Sequence, residues 1–203
     1  MKITLRVEEE KDFRTVENIT REAFWNVYRP GCCEHFILHK LRSSPAFIKE
    51  LDFVAELDGE VVGNIVYSKS IVVDEAGTRH EVIGFGPLSV LPSCQGRGIG
   101  AKLIEHTVEI AKERGLRAII IFGDPAYYHR FGFVNAEVFD IHTSEGENFE
   151  PFMAMELYNG SLRGITGRYF EDAAFNVNEE ELEMFDQGFP PKQKEVTDTQ
   201  LFK

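Results

Sequence analysis

Cysteine is scarce: Cys32, Cys33 and Cys94 are the whole complement of a 203-residue chain. The number is odd and two of them are neighbours, which is no basis for a disulfide framework. The six histidines (His35, His39, His80, His106, His129 and His142) are scattered. None stands at a zinc-site interval from a cysteine, so no metal centre is expected. Basic clusters are missing as well. With a formal charge of −12 and no Lys/Arg-rich run, the chain repels polyanions at long range, which argues against nucleic acid and for a cationic partner. No apolar run reaches the roughly 20 residues that cross a bilayer. The opening Met1-Lys2-Ile3-Thr4-Leu5-Arg6-Val7 alternates and then turns acidic, unlike the unbroken apolar stretch of a signal peptide. These gaps point to a cytoplasmic protein with reduced thiols and no membrane partner.

What the chain does have is an ordinary globular balance, 43% hydrophobic and 28% charged. Its length allows one large domain, or one domain with a tail, to bury a core without covalent staples. Phenylalanine is abundant, at 17 residues, so a largely aromatic core is expected. Ile3, Leu5 and Val7 alternate as in a half-buried strand. From Asp12, an expected N-cap, Phe13, Val16, Ile19, Ala23 and Val27 recur at helical spacing, and Pro30-Gly31 is expected to stop that helix. A second helical stretch is expected around Phe36, Ile37, Lys40 and Leu41, ending near Pro45. Phe53–Leu57 and Glu60–Val73 read as strands joined at Asp58-Gly59, a two-residue hairpin signal. Thr78–Leu91 reads as a third strand, across the turn Asp74–Gly77. The middle of the chain is therefore an antiparallel meander and not a βαβ series.

A helix follows, with Ile99, Leu103, Ile104, Val108 and Ala111 on one side and Gly115 as its stop. Arg117–Phe122 is nearly all apolar, as in a strand buried on both faces. Asp124-Pro125 supplies an N-cap and an N1 proline for another helix through Tyr127 and Tyr128 to Gly132. Strand-like stretches lie near Val138–His142 and Met153–Leu157, and the chain beyond Asn159 is acidic. The element order reads as an α/β (α+β) chain: a mixed sheet flanked by helices.

The sharpest local feature is Gln95-Gly96-Arg97-Gly98-Ile99-Gly100, between a strand and a helix. Glycines bring backbone N–H groups within reach of a ligand. A helix N-terminus adds donors without intrahelical partners and a partial positive charge. Together they form a pocket suited to phosphate oxygens, and Arg97 adds a full charge. Three readings follow: a turn with no ligand, a dinucleotide-binding loop, or a coenzyme A pyrophosphate loop. Gly96-x-Gly98-x-x-Ala101 fits the relaxed dinucleotide fingerprint, with Asp124 downstream. Against it, the preceding elements are hairpins, Leu91–Gln95 separates strand from loop, and Asp124 has a local role as a helix cap.

At Gln95-x-x-Gly98-x-Gly100 the sequence resembles the GNAT superfamily of acyl-CoA N-acyltransferases, whose signature is Gln/Arg-x-x-Gly-x-Gly/Ala before a helix. Leu88–Pro92 ahead of it and Tyr128-His129-Arg130-Phe131-Gly132-Phe133 after it are similar to the family's flanking elements. The resemblance covers about residues 1–157, an acyltransferase domain, with 158–203 as a C-terminal extension. It implies a GNAT-like fold, its largely antiparallel sheet splayed at the cofactor site, where Gly84, Gly86 and Pro87 would distort the strand. It implies acetyl-CoA as co-substrate, with Leu88, Ser89 and Val90 along the pantetheine and Gln95, Gly96, Arg97, Gly98, Ile99 and Gly100 around the pyrophosphate. It implies Tyr128 as the acid that protonates the leaving thiolate, with Tyr127 as the fallback. The expected activity is acetyl transfer to a small-molecule or protein amine, with a non-catalytic acyl-CoA sensor as the alternative. No base is identifiable: Glu81, His80 and His129 qualify by residue type alone. Cys94, beside the loop, has no histidine tied to it, and Cys32-Cys33 read as small buried hydrophobes.

Overall fold

The computed structural model describes residues 2–200. Contacts divide the chain into two compact units. The first takes the residues up to Val66, Gly86–Leu103 and the chain from Ala173; the second takes Tyr67–Phe85 and Ile104–Asp172.

In the first unit, β1 (Ile3–Val7) pairs antiparallel with β2 (Phe53–Leu57), from Ile3↔Leu57 to Val7↔Phe53. β2 pairs with the first half of β3 (Glu60–Val73). Their turn places Asp58 at φ 53 and Gly59 at φ 96, the two left-handed positions that a two-residue hairpin needs. α1 (Phe13–Phe24) and α2 (Glu34–Leu41) bury Val16, Leu38 and Leu41 against Val54, Val66 and Ala174. α1 stops at Phe24, well before Pro30. There Asn26 turns left-handed at φ 62, its side chain accepting from Gly31 N at 2.8 Å, and Trp25 Nε1 donates to Gln193 O at 2.8 Å. Asp12 does not cap α1 with its side chain. Its carboxylate instead accepts from Arg6 Nη2 at 2.9 Å and, turned back along the chain, from Glu9 N at 3.0 Å.

The chain from Ala173 builds α5 (Glu179–Asp186) into the same unit. Asn178 Oδ1 accepts from Glu180 N and Glu181 N at 2.9 and 3.1 Å, a regular N-cap. Asp186, in its last turn, accepts from Arg21 Nε at 2.6 Å.

In the second unit, β5 (Ala118–Phe122) pairs antiparallel with β8 (Phe152–Glu156) over five registers, and β8 continues to β6 (Val134–Asn135). β4 (Arg79–Val90) pairs β5 in parallel at Ile83↔Ile119. β9 (Gly167–Phe170) pairs the end of β3 antiparallel and β7 (Ile141–His142) in parallel. Its core gathers Val72, Val82, Ile120, Phe152, Ala154 and Tyr169. The strand expected over Val138–His142 is largely a 3-10 turn at Ala136–Phe139, closed by Asp140 at φ 56, with only Ile141–His142 extended. The strand order is β1-β2-β3-β4-β5-β8-β6, mostly antiparallel.

α3 (Ile99–Glu113) buries Ile99, Leu103, Ile104, Val108 and Ala111, the side its spacing marks out. Gly115 ends it at φ 68. The core is less aromatic than 17 phenylalanines suggest. Phe36, Phe53, Phe85, Phe133, Phe152 and Phe189 are buried, but Phe122, Phe149 and Phe170 are exposed, and branched aliphatics fill most of the interior.

Candidate functional site

The glycine loop lies in the first unit. β4 ends at Val90, Pro92–Cys94 form a 3-10 turn, and Gln95 leaves that turn extended, at φ −63 and ψ 161. Gln95 Nε2 donates back to Val90 O at 3.0 Å, and Arg97 Nη2 donates to Ser93 O at 3.2 Å, so both long side chains fold onto the strand end. Gly96 and Gly98 sit at φ 73 and φ 77, which glycine adopts without strain. A Cβ built on either meets nothing within 4 Å, so the space before this backbone is open. Lys102 N donates to Gly98 O at 3.1 Å, opening the helical ladder. The first-turn amides ahead of it have no carbonyl one turn back to bond. Ile99 and Gly100 are buried, while Gln95, Gly96, Arg97 and Gly98 are exposed.

Leu88 and Val90 are half-buried on the strand that feeds the loop. Ser89 is buried, its Oγ 3.0 Å from Thr20 Oγ1 of α1, so its side chain ties strand to helix and only its backbone remains for a ligand. Gly63 of β3 also shapes this strand end. A Cβ there would stand 2.9 Å from Ser89 O and 3.4 Å from both Ile99 and Val90 side-chain carbons. A glycine inside an otherwise β-branched strand is the signal for such a close approach.

Tyr128 belongs to the second unit. Asp124 caps α4 (Pro125–Tyr128), its Oδ1 accepting from Ala126 N at 2.9 Å. The Tyr128 ring lies against Phe85 and Phe133, both at 5.8 Å between centroids, and against Tyr127 at 5.0 Å. A Cβ on Gly123 would run into that ring, so the absence of a side chain there fixes where Tyr128 sits. Gly132 then closes the segment at φ 95.

The candidate bases are occupied or open to solvent. Glu81 is exposed and paired with Lys69 at 3.3 Å. His80 Nε2 is 3.0 Å from Asp74, and His129 is exposed. Cys94 is buried, 3.8 Å from Ser93 Oγ. Cys32 has unexpected company: His35 Nδ1 lies 3.4 Å from its sulfur, and His35 Nε2 lies 3.1 Å from Asp186 Oδ1. The order thiol–imidazole–carboxylate resembles a nucleophile triad, but its electrostatics oppose one. Burial pushes the Cys32 thiol well up and His35 down to about 4, so the sulfur stays protonated and enclosed. Cys33 is only half-buried. Among the described residues no group of three or more His, Cys, Asp or Glu side chains could hold a metal ion, and no helix is long and apolar enough to cross a membrane.

A mainly antiparallel mixed sheet, with a glycine turn of open backbone ahead of a helix, defines an α/β protein. The sequence matches the Acetyltransferase (GNAT) family over residues 13–133, and the chain belongs to that family. It is similar to the uncharacterized N-acetyltransferase YhbS of Escherichia coli strain K12, 30% identical over 164 residues, covering 80% of this chain and 92% of YhbS. The YhbS crystal structure in complex with CoA superposes with a TM-score of 0.77 at 26% identity, covering 87% of this chain and 93% of that one. A GNAT family acetyltransferase from Brucella melitensis in complex with acetyl-CoA superposes at 0.69 with 30% identity, covering 86% and 98%. Family membership displaces the dinucleotide reading, and Asp124 does serve as the helix cap.

Proposed function

We propose that the chain is an N-acetyltransferase that moves acetyl from acetyl-CoA to a primary amine by direct attack in a ternary complex. One observation carries this: the left-handed Gly96 and Gly98, with open space before them at the start of α3. Those residues fit a diphosphate, which needs converging amides and no side chains in the way. Two relatives bound to CoA and to acetyl-CoA support the reading.

In this scheme the backbone from Gln95 to Gly100 holds the pyrophosphate, with Arg97 adding charge in an otherwise acidic chain. The backbone of Leu88, Ser89 and Val90 pairs with the pantetheine as an added strand would. The neutral amine attacks the thioester carbon, the carbonyl oxygen gathers negative charge, and an N–H near Val90 stabilises it. The C–S bond then breaks, the thiolate takes the Tyr128 phenol proton, and the amine's own proton passes to solvent, which in turn reprotonates the phenolate. The acceptor is a small-molecule or protein amine.

The test joins calorimetry with CoA to thiol release from acetyl-CoA over a panel of primary amines. Gly98→Val, which crowds the cradle and strains φ 77, is expected to weaken CoA binding at least tenfold. Undiminished affinity in that variant removes the loop from the site. Tight CoA binding with no thiol release from any amine turns the assignment toward a non-catalytic acyl-CoA sensor.

A further inference from the structure

We propose that Thr20 and Gly63 are positioning residues for CoA: together they fix the spacing between the end of β4 and the glycine loop, so that one cofactor spans both. This rests on the acetyltransferase reading. It adds two buried residues from outside the loop motif and gives α1 a part in holding the site.

All of these parts lie in the first unit. CoA has two separate anchors, a diphosphate and a pantetheine arm. The scheme above gives the first to the loop and the second to the strand. Attachment at two points adds affinity only while the points keep the distance that the ligand spans. Gly63 stands where that distance is set. A Cβ there would lie 2.9 Å from Ser89 O, 3.4 Å from Val90 Cγ2 and 3.4 Å from Ile99 Cγ2. Ser89 and Val90 belong to the strand, while Ile99 belongs to the loop and opens α3. One bare Cα therefore lets β3, the end of β4 and the loop close on a single point. Leu91 N donates to Val62 O at 2.8 Å, which ties the strand end to β3 just beyond. The atom nearest to an added methyl group is a backbone carbonyl, so no side chain can swing away to admit it and the strand itself must move.

Thr20 holds the same strand through Ser89. The two hydroxyl oxygens are 3.0 Å apart, and the residues are 0% and 1% exposed. A buried hydroxyl deprived of its partner must find another or bear its desolvation cost, so the strand turns when Thr20 cannot bond it. The helix that carries Thr20 is itself anchored. Arg21, the next residue, donates to Asp186 through Nε at 2.6 Å and Nη2 at 3.1 Å, and it lies over the Trp25 ring at 4.1 Å. Val16, one turn earlier, is fully buried. α1 is thus a fixed mount and not a surface helix free to slide. Ser89 is gripped at two atoms, its Oγ by Thr20 and its carbonyl against Gly63, and the neighbouring Leu88 and Val90 are held in place with it.

The test compares two ligands by calorimetry: CoA, and ADP, which carries the diphosphate without the arm and is measured by its competition with CoA. Thr20→Val keeps the side-chain volume and removes the hydroxyl. It is expected to weaken CoA about tenfold and ADP by less than about twofold. Gly63→Ala is expected to show the same selectivity with a larger loss, because it displaces backbone. Thr20→Ser restores the hydroxyl and brings CoA affinity back to within about threefold of wild type. Thr15→Val, at an exposed threonine of the same helix, follows wild type with both ligands. A residue that serves stability alone leaves both affinities of the folded protein unchanged or lowers them alike. Either result, with folding checked by thermal melts, overturns the assignment. So does a loss in Thr20→Val that Thr20→Ser does not recover, and so does wild type that binds CoA no more tightly than ADP. Thr20→Val replaces like volume with like, so the comparison stands even where Gly63→Ala does not fold. Wild type that binds neither ligand sinks the acetyltransferase reading itself.

Discussion

Tyr128 shows how a small residue fixes a large one. Its ring occupies the space a side chain on Gly123 would need, and Phe85 and Phe133 hold its other faces at 5.8 Å. Gly123→Ala must therefore move the ring, while Tyr128→Phe leaves the packing intact and removes only the hydroxyl. If the phenol protonates the thiolate, Tyr128→Phe lowers kcat on the order of 100-fold and Gly123→Ala about tenfold. The double variant is no worse than Tyr128→Phe alone, because both act through one proton. Additive losses in steady-state rates argue for separate roles. The Cys32–His35–Asp186 row carries the opposite expectation. A thiol held up by burial, beside an imidazole pushed down to about 4, is a poor nucleophile. In the native protein Cys32 should resist iodoacetamide at pH 8 while the urea-unfolded chain reacts, as peptide mass mapping will show, and Cys32→Ala should leave acetyl transfer within twofold of wild type.

At the scale of elements, α5 is the part whose role the sequence leaves most open, and its packing explains its worth. Arg21 is a buried guanidinium, 2% exposed, and Asp186 of α5 is its carboxylate partner, through Nε at 2.6 Å and Nη2 at 3.1 Å. Asp186→Ala strands that charge in the interior and is expected to cost about 3 kcal/mol in urea unfolding. Asn178→Ala removes only the α5 cap and costs about 1 kcal/mol. Equal, small effects would mean that α5 merely rests on α2. Most other elements announce themselves. The Asp58-Gly59 hairpin, the apolar side of α3, Gly115, and the Asp124-Pro125 cap are local chemistry and sit where their residues require. So does the loop conformation, because the positive φ at Gly96 and Gly98 is cheap only for glycine. What stayed hidden depends on partners distant in sequence. The end of α1 is set by Gln193 and by Asn26 folding onto Gly31. Asp12 is diverted by Arg6. β9 is too short to show alternation and owes its existence to β3 and β7. Ser89 looks like a ligand contact by position, yet Thr20 claims its hydroxyl.

For the whole molecule, pH dependence of stability is a sum over buried titratable groups, and two of them pull in opposite directions. His35 is held near 4, below its unfolded value of about 6.5, by burial beside Asp186. Between those limits the unfolded chain binds more protons, so stability rises with pH and this contribution is complete above about 6.5. Asp52 is pushed up to about 9 by burial and by the neighbouring Glu8, while Asn64 Nδ2 donates to it at 2.8 Å. Here the folded state binds the extra proton from about pH 4 to 9, so stability falls with pH across that window. Below about 6.5 the two slopes oppose each other; above it Asp52 is left without that counterweight. The folded protein is therefore expected to melt about 5 °C or more lower at pH 9 than at pH 6.5. Asp52→Asn keeps an acceptor for Asn64 and offers Glu8 an N–H in place of the acid proton, with nothing left to titrate. Its melting temperature should stay nearly level over the same range and exceed that of wild type at pH 9. A wild-type curve that is flat or rising there means that Asp52 is ionised in the fold, with Arg42, already bound to Glu8 at 2.6 Å and to Glu17 at 3.0 Å, compensating more charge than this arrangement gives it.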